Sequence, residues 1–234
     1  MIPRRLHYCW FGGKSPDRLV RRCMASWETF CPGFEIVRWD ESNAPVQGNL
    51  YARQAYQVRK WAFVSDYVRL HALFTQGGIY LDTDVELTAP LDHFLGQEAF
   101  CGFESPEKVA TCLIGSVPCH PLLRELTEQY RLLPFLRGGV PDCITNVERI
   151  TALLIEKGLS PDGQAQTVAG MTVYPCDYFS PKSLVDGKIT RTPNTCAIHH
   201  FSASWMTSRQ RLHTYIAQKL GPVWTKKMKR IRNL

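Results

Sequence analysis

Two aspartates separated by one residue, Asp82 and Asp84, follow a short apolar run in Gly77-Gly78-Ile79-Tyr80-Leu81-Asp82-Thr83-Asp84. Carboxylates at this spacing suit a hard divalent cation, Mg²⁺ or Mn²⁺, whose remaining ligands come from substrate phosphates. In extended backbone, side chains at i and i+2 leave on the same side, so a strand end would aim both acids at one ion. Standing alone, so short a pair reads first as a solvated turn; the apolar run before it and the helix upstream favour the cation site. Two other groups could join it. Asp66 and Arg69 are spaced i, i+3 and share a helix face, either as an intrahelical ion pair or as a pair reaching one ligand. His199 and His200 are adjacent and would face opposite sides of a strand, so at most one meets the same cation. Glu86, two residues past Asp84, is a weaker third acid.

These groups need elements to carry them. Residues 79–81 read as a short buried strand after a glycine breaker. Residues 49–76 form the longest helical stretch, broken into two helices. The second places Phe63, Tyr67, Leu70 and Phe74 on one stripe and stops at Gly77. Upstream, a strand at 4–11, a helix at 17–30 and an alternating strand at 34–39 make a βαβ unit, hence an α/β protein with a parallel sheet. Downstream, 99–103 and 111–117 read as strands, 121–133 and 143–157 as helices, and 171–175 and 196–201 as late strands. No repeat or linker divides the chain.

A chain of 234 residues is expected to form one domain, here 1–206, followed by a tail at 207–234. The net charge of +7 resides in that tail, which carries eight basic residues and no acid and leaves a nearly neutral body. Val223, Trp224, Met228 and Ile231 interleave with the charges, as in a basic helix that is either solvated or laid on an anionic membrane surface. No zinc-finger or RNA-recognition signature accompanies the charge, so nucleic acid is not the expected partner. No run approaches the ~18 apolar residues of a membrane span, and the N-terminus lacks an apolar signal core, so a cytoplasmic protein is expected. The nine cysteines are odd in number and lack a C-x-x-C pair, which points to reduced thiols rather than a disulfide framework or zinc site.

Four segments, in order, resemble glycosyltransferase family 32, the DXD sugar-binding family: IPRRLHYCWFGG, SWETFCPGFEIVRWDE, SDYVRLHALFTQGGIYLDTDVEL and AIHHFSASW. Together they extend over residues 2–205. The resemblance implies a GT-A fold: a mainly parallel central sheet flanked by helices, with a nucleotide-sugar at the carboxyl ends of the strands. It further implies retaining transfer of a hexose from a UDP- or GDP-sugar to a bacterial surface glycan or lipid-linked glycan precursor, with Mn²⁺ or Mg²⁺ as cofactor. By the same resemblance Asp84 is the direct metal ligand, and Asp82 binds ribose or sugar hydroxyls and the metal shell. His199 or His200 adds a ligand, while Asp66, Arg69 and Ser65 meet the donor. Trp10 stacks on the nucleobase, and Ser204 and Trp205 close over the diphosphate. Gly115, Ser116 and residues 141–145 would line the acceptor side. Two other classes share the acidic pattern: a phosphatase with Asp82 as nucleophile, and a non-catalytic glycan- or lipid-binding module on the same fold.

Overall fold

The computed structural model describes residues 1–183 and 186–202. Among the described residues, the strands are β1 (Arg5–Cys9), β2 (Glu35–Trp39), β3 (Gly78–Leu81), β4 (Val85–Leu87), β5 (Ala99–Ser105), β6 (Lys108–Val109), β7 (Leu113–Ser116), β8 (Leu136–Arg137), β9 (Val140–Pro141), β10 (Gln166–Val168), β11 (Met171–Tyr174) and β12 (Ala197–His199). The helices are α1 (Arg18–Phe30), α2 (Leu50–Gln57), α3 (Trp61–Gln76), α4 (Pro121–Gln129), α5 (Asn146–Glu156) and α6 (Cys176–Phe179).

The main sheet has the order β10-β11-β5-β7-β3-β1-β2, with β6 added to β5. Strands β2, β1, β3, β5 and β11 run one way, while β7 and β10 run the other. The expected βαβ opening is present as β1-α1-β2, paired in register from Arg5↔Glu35 to Cys9↔Trp39. The chain then returns through α2 and α3 to place β3 on the other side of β1. Because the strands that follow β1 lie on both sides of it, the carboxyl ends of β1 and β3 form a topological switch point, the place where α/β sheets bind ligands.

Alternation in β3 shows how the sheet is filled. Tyr80 belongs to the core shared with α2, α3, α4 and α5, whereas Ile79 and Leu81 belong to the opposite core with Trp27 of α1 and Phe179 of α6. A strand buried on both faces reads as a continuous apolar run, as GIYL does. The short hairpin β8-β9 and helix α6 carry no strong periodicity and were not expected. The helix expected over 121–133 stops at Gln129, where Tyr130 turns in against Tyr51 at 4.8 Å.

The Gly77-Gly78 breaker does more than end α3. Gly77 has φ +62° and Gly78 φ +102°, conformations costly for any residue with a Cβ. A Cβ on Gly78 would also stand 2.7 Å from the Arg5 carbonyl oxygen. Buried His7 locks the same corner: its Nε2–H donates to the Gly77 carbonyl at 2.8 Å, and its Nδ1 accepts from Trp39 Nε1–H at 3.1 Å. Burial pushes the His7 pKa down to about 4, the Gly77 bond opposing, so the ring is neutral. β1, β2 and the α3–β3 junction are thereby tied at one point, which fixes where β3 delivers its acids.

Candidate functional site

β3 stops at Leu81, so Asp82 and Asp84 do not sit on extended backbone as expected. They occupy a turn closed by the Val85 N–H donating to the Asp82 carbonyl at 2.9 Å, and the Asp82 N–H donates to the Cys112 carbonyl at 2.8 Å. The chain leaves the turn as β4, which belongs to a separate two-stranded sheet with β12. That pairing sets Val85 opposite His199. It brings the His199 Nε2 to 3.4 Å from Asp84 Oδ1, while the Ser202 N–H donates to Asp84 Oδ2 at 2.7 Å. One ligand atom each from Asp82, Asp84 and His199 lie within 4.8 Å of one another.

His200 is corrected as a candidate metal ligand. Its N–H donates to the Asp84 carbonyl at 3.0 Å, but its ring turns to the other side of β12, with Nε2 2.8 Å from Glu86 and 3.1 Å from Arg22. Adjacent residues on a strand face opposite ways, and Asp84 occupies the His199 side. Glu86 is likewise engaged with Arg22 at 3.0 Å and leaves the cluster.

The donor set fits a divalent ion. Two carboxylates and an imidazole suit Mn²⁺ or Mg²⁺, and oxygen ligands at roughly 2.1 Å from an ion lie about 3–4 Å apart, close to the separations present. Among the described residues, the His199 Nδ1 is buried with no hydrogen-bond partner. Burial opposes ionisation of Asp84, but His199 and the Ser202 N–H outweigh it and hold the carboxyl well below its usual range. Asp82 behaves oppositely: burial raises its pKa, Arg69 pulls it back, and Asp84 adds to the rise. The two acids therefore differ electrostatically, and Asp84 is the more firmly anionic.

Asp66 and Arg69 form part of a larger buried network rather than an isolated helical pair. Arg69 Nη2 stands 3.2 Å from Asp66 Oδ1 and 3.2 Å from Asp82 Oδ1. Its Nη1 donates to the Thr111 carbonyl at 2.7 Å, and its guanidinium lies 4.6 Å above the Tyr80 ring. The Tyr80 hydroxyl in turn donates to Asp82 Oδ1 at 3.0 Å. Asp66 also accepts from the N–H of Asn146, the first residue of α5, at 3.2 Å. Burial pushes the Asp66 pKa up to about 6 against the pull of Arg69.

Trp10 follows β1 directly, half-buried, with its Nε1–H donating to the Lys14 carbonyl at 2.6 Å. Ser65, one turn before Arg69, donates its hydroxyl to the Trp61 carbonyl at 3.1 Å, and its own carbonyl accepts from Arg69 Nε at 3.3 Å. Residues 141–145 lead into α5, where Thr145 and Glu148 form a capping box beside the Asn146–Asp66 contact. Gly115 and Ser116 are corrected as acceptor-side candidates. Because β7 runs against β3, Ser116 pairs with Gly78 and Leu113 with Leu81, which puts Ser116 and Gly115 toward the end of β3 away from Asp82. A Cβ on Gly115 would overlap the Phe100 ring, so packing explains that glycine. Ser204, Trp205 and the basic tail at 207–234 lie outside the described residues.

Tyr80, Thr111 and Asn146 belong to the network and were not singled out from sequence. Tyr80 is hidden in an apolar run, although a tyrosine two residues before a carboxylate on one strand face is a usable signal. Thr111 and Asn146 reach Arg69 and Asp66 only through pairings across 42 and 80 residues.

The sheet order, with the acidic turn after β3, is that of a GT-A type glycosyltransferase fold. Residues 17–101 match the family model described as the glycosyltransferase sugar-binding region containing DXD motif. Over those residues the chain is similar to the DXD sugar-binding region of glycosyltransferases. It is 29% identical over 133 residues to inositol phosphoceramide mannosyltransferase 3 of Schizosaccharomyces pombe, covering 53% of this chain and 36% of that protein. It is 24% identical over 116 residues to subversion of eukaryotic traffic protein A of Legionella pneumophila, covering 38% of this chain and 18% of that one. The chain thus spans about a third or less of the length of these relatives. Among solved structures, it superposes on the PaToxG glycosyltransferase with a TM-score of 0.52 at 16% identity, covering 66% of this chain and 70% of that one, a likeness of fold. No helix among the described residues is long and apolar enough to cross a membrane.

Proposed function

We propose that the protein is a metal-dependent, retaining glycosyltransferase that moves a hexose from a UDP- or GDP-sugar to a hydroxyl of a bacterial surface glycan or lipid-linked glycan precursor. The observation that carries this reading is the convergence of Asp82, Asp84 and His199 beside the buried Asp66–Arg69 pair at the carboxyl ends of β1 and β3. Asp84 and His199 would hold the divalent ion, with Asp82 at its edge. When bound, that ion neutralises a diphosphate leaving group.

The chain's own residues supply the rest. Arg69 keeps a positive charge in a low-dielectric site, aimed by Thr111, Tyr80 and Asp82. A cation so held stabilises negative charge developing on a departing phosphate without reorganising. Asp66 is fixed by the α5 N-terminus as an acceptor for sugar hydroxyls, and Trp10 offers an indole for base stacking at the carboxyl end of β1. The phosphatase reading is less well served, because both oxygens of Asp82 are engaged by Arg69 or Tyr80 rather than free for attack. The mannosyltransferase relative, named for a phosphoceramide acceptor, supports a lipid-linked acceptor. The basic residues at 207–234 would then hold the enzyme at an anionic surface.

Donor hydrolysis tests this directly. The protein is incubated with UDP- and GDP-hexoses with and without Mn²⁺, and free nucleotide is measured. One base is expected to support Mn²⁺-dependent release, which Asp84→Ala lowers by roughly 10²-fold or more while leaving the circular dichroism spectrum intact. Undiminished activity in that variant removes the metal assignment.

A further inference from the structure

Glu104 is a half-buried carboxylate on β5, near its carboxyl end, and it makes no hydrogen bond or ion pair with any described residue. A bulge puts it there. β5 meets β6 at Phe103↔Val109 and Ser105↔Lys108, so Glu104 is one residue more than its partner strand can match. Such an insertion re-aims a side chain out of the ladder, and bulges gather beside active sites for that reason.

The rim on which Glu104 sits is the functional one. β5 runs in the same direction as β1 and β3, so Glu104, Asp82 and Trp10 all stand toward the carboxyl ends of their strands. Along that rim the order is β1, β3, β7, β5. Two strand spacings separate β3 from β5, about 10 Å, on the side away from β1. The site's charges reach it: burial pushes the Glu104 carboxyl up, His199 pulls it back and Asp82 raises it again, with Lys108 adding a smaller opposing pull.

A nucleotide-sugar with its base at Trp10 and its diphosphate at the Asp82-Asp84-His199 cluster extends its sugar past β3 toward β5. A carboxylate with no partner among the described residues can accept hydrogen bonds from hydroxyls there without surrendering a contact within that set. We propose that Glu104 binds hydroxyls of the donor's sugar ring, and so reads the sugar from the opposite side of the metal centre to the nucleobase. This rests on the glycosyltransferase reading above.

Calorimetric titration of the Mn²⁺-loaded protein with UDP, GDP, UDP-glucose, UDP-galactose and GDP-mannose separates the two ideas. Glu104→Gln is expected to bind the preferred free nucleotide within about twofold of wild type, while its affinity for the matching nucleotide-sugar falls about tenfold, as for one charge-assisted hydrogen bond. Glu104→Asp, which keeps the charge but retracts it, is expected between the two and carries the comparison if the Gln variant melts early. Equal loss for nucleotide and nucleotide-sugar, or loss for neither, overturns the proposal. A wild-type protein that binds none of these compounds overturns the glycosyltransferase reading instead and takes this proposal with it.

Discussion

Replacing Arg69 with methionine keeps an unbranched apolar stem and removes the charge that the Asp66 and Asp82 carboxylates share. The Arg69 side chain is 5% exposed and its Asp66 partner 11%, so Asp66 does not find water as a substitute, whereas Asp82, at 25%, is partly hydrated. Breaking a buried ion pair by removing one partner costs about 3–5 kcal/mol, and the lost bond to the Thr111 carbonyl falls within that range. The cost depends on pH in a direction the structure sets. Asp66 already titrates at about 6 in the folded protein, above its unfolded value, so the folded state binds its proton more tightly and this group's destabilisation is relieved as pH falls. Without the guanidinium, its pKa rises further, and each additional unit returns about 1.4 kcal/mol to the variant at low pH. Urea unfolding of wild type and Arg69→Met at pH 7.5 and pH 5 is the assay. The expected result is a deficit of about 3–5 kcal/mol at pH 7.5 that narrows at pH 5. A deficit below about 1 kcal/mol, or one independent of pH, would refute a coupled buried Asp66-Arg69-Asp82 unit.

Neutral His7 gives a second pH signature with the opposite sense. Its folded pKa of about 4 lies below the ordinary 6.5, so stability is complete above pH 6.5 and is lost as pH falls toward 4, by about 3 kcal/mol in all. His7→Gln should flatten that limb in a comparison of urea midpoints at pH 7 and pH 5, and an unchanged slope would show that another group carries it. The two histidines on β12 should separate cleanly in Mn²⁺ affinity. His199→Ala is expected to weaken binding at least roughly tenfold and His200→Ala to leave it nearly unchanged; equal effects would contradict the assignment of opposite faces.

Local periodicity explains what could be read from the residues alone. The i, i+3 spacing of Asp66 and Arg69, the two-helix break before α3 and the Gly77-Gly78 stop all depend on neighbours within a turn or two. The parts that were not legible depend on distant pairing. Asp82 and Asp84 converge because Val85 pairs with His199 across 114 residues, and that pairing bends the chain into a turn where extended geometry was expected. The direction of β7, which removes Gly115 and Ser116 from the site, follows from its pairing with β3 and β5 and has no signature in TCLIGS itself. Glu104 looks like an ordinary acid at the end of an apolar run until the register of β5 against β6 shows it as the unmatched residue.

Asp82, Asp84 and His199 are proposed to form one divalent-cation site. Mn²⁺ binding followed by electron paramagnetic resonance, with wild type, Asp84→Asn and His199→Ala at equal protein concentration, tests it most directly. One bound Mn²⁺ per wild-type chain is expected, made tighter by the preferred nucleoside diphosphate and lost or strongly weakened in both variants. Mn²⁺ binding that is unaltered by either substitution would contradict it.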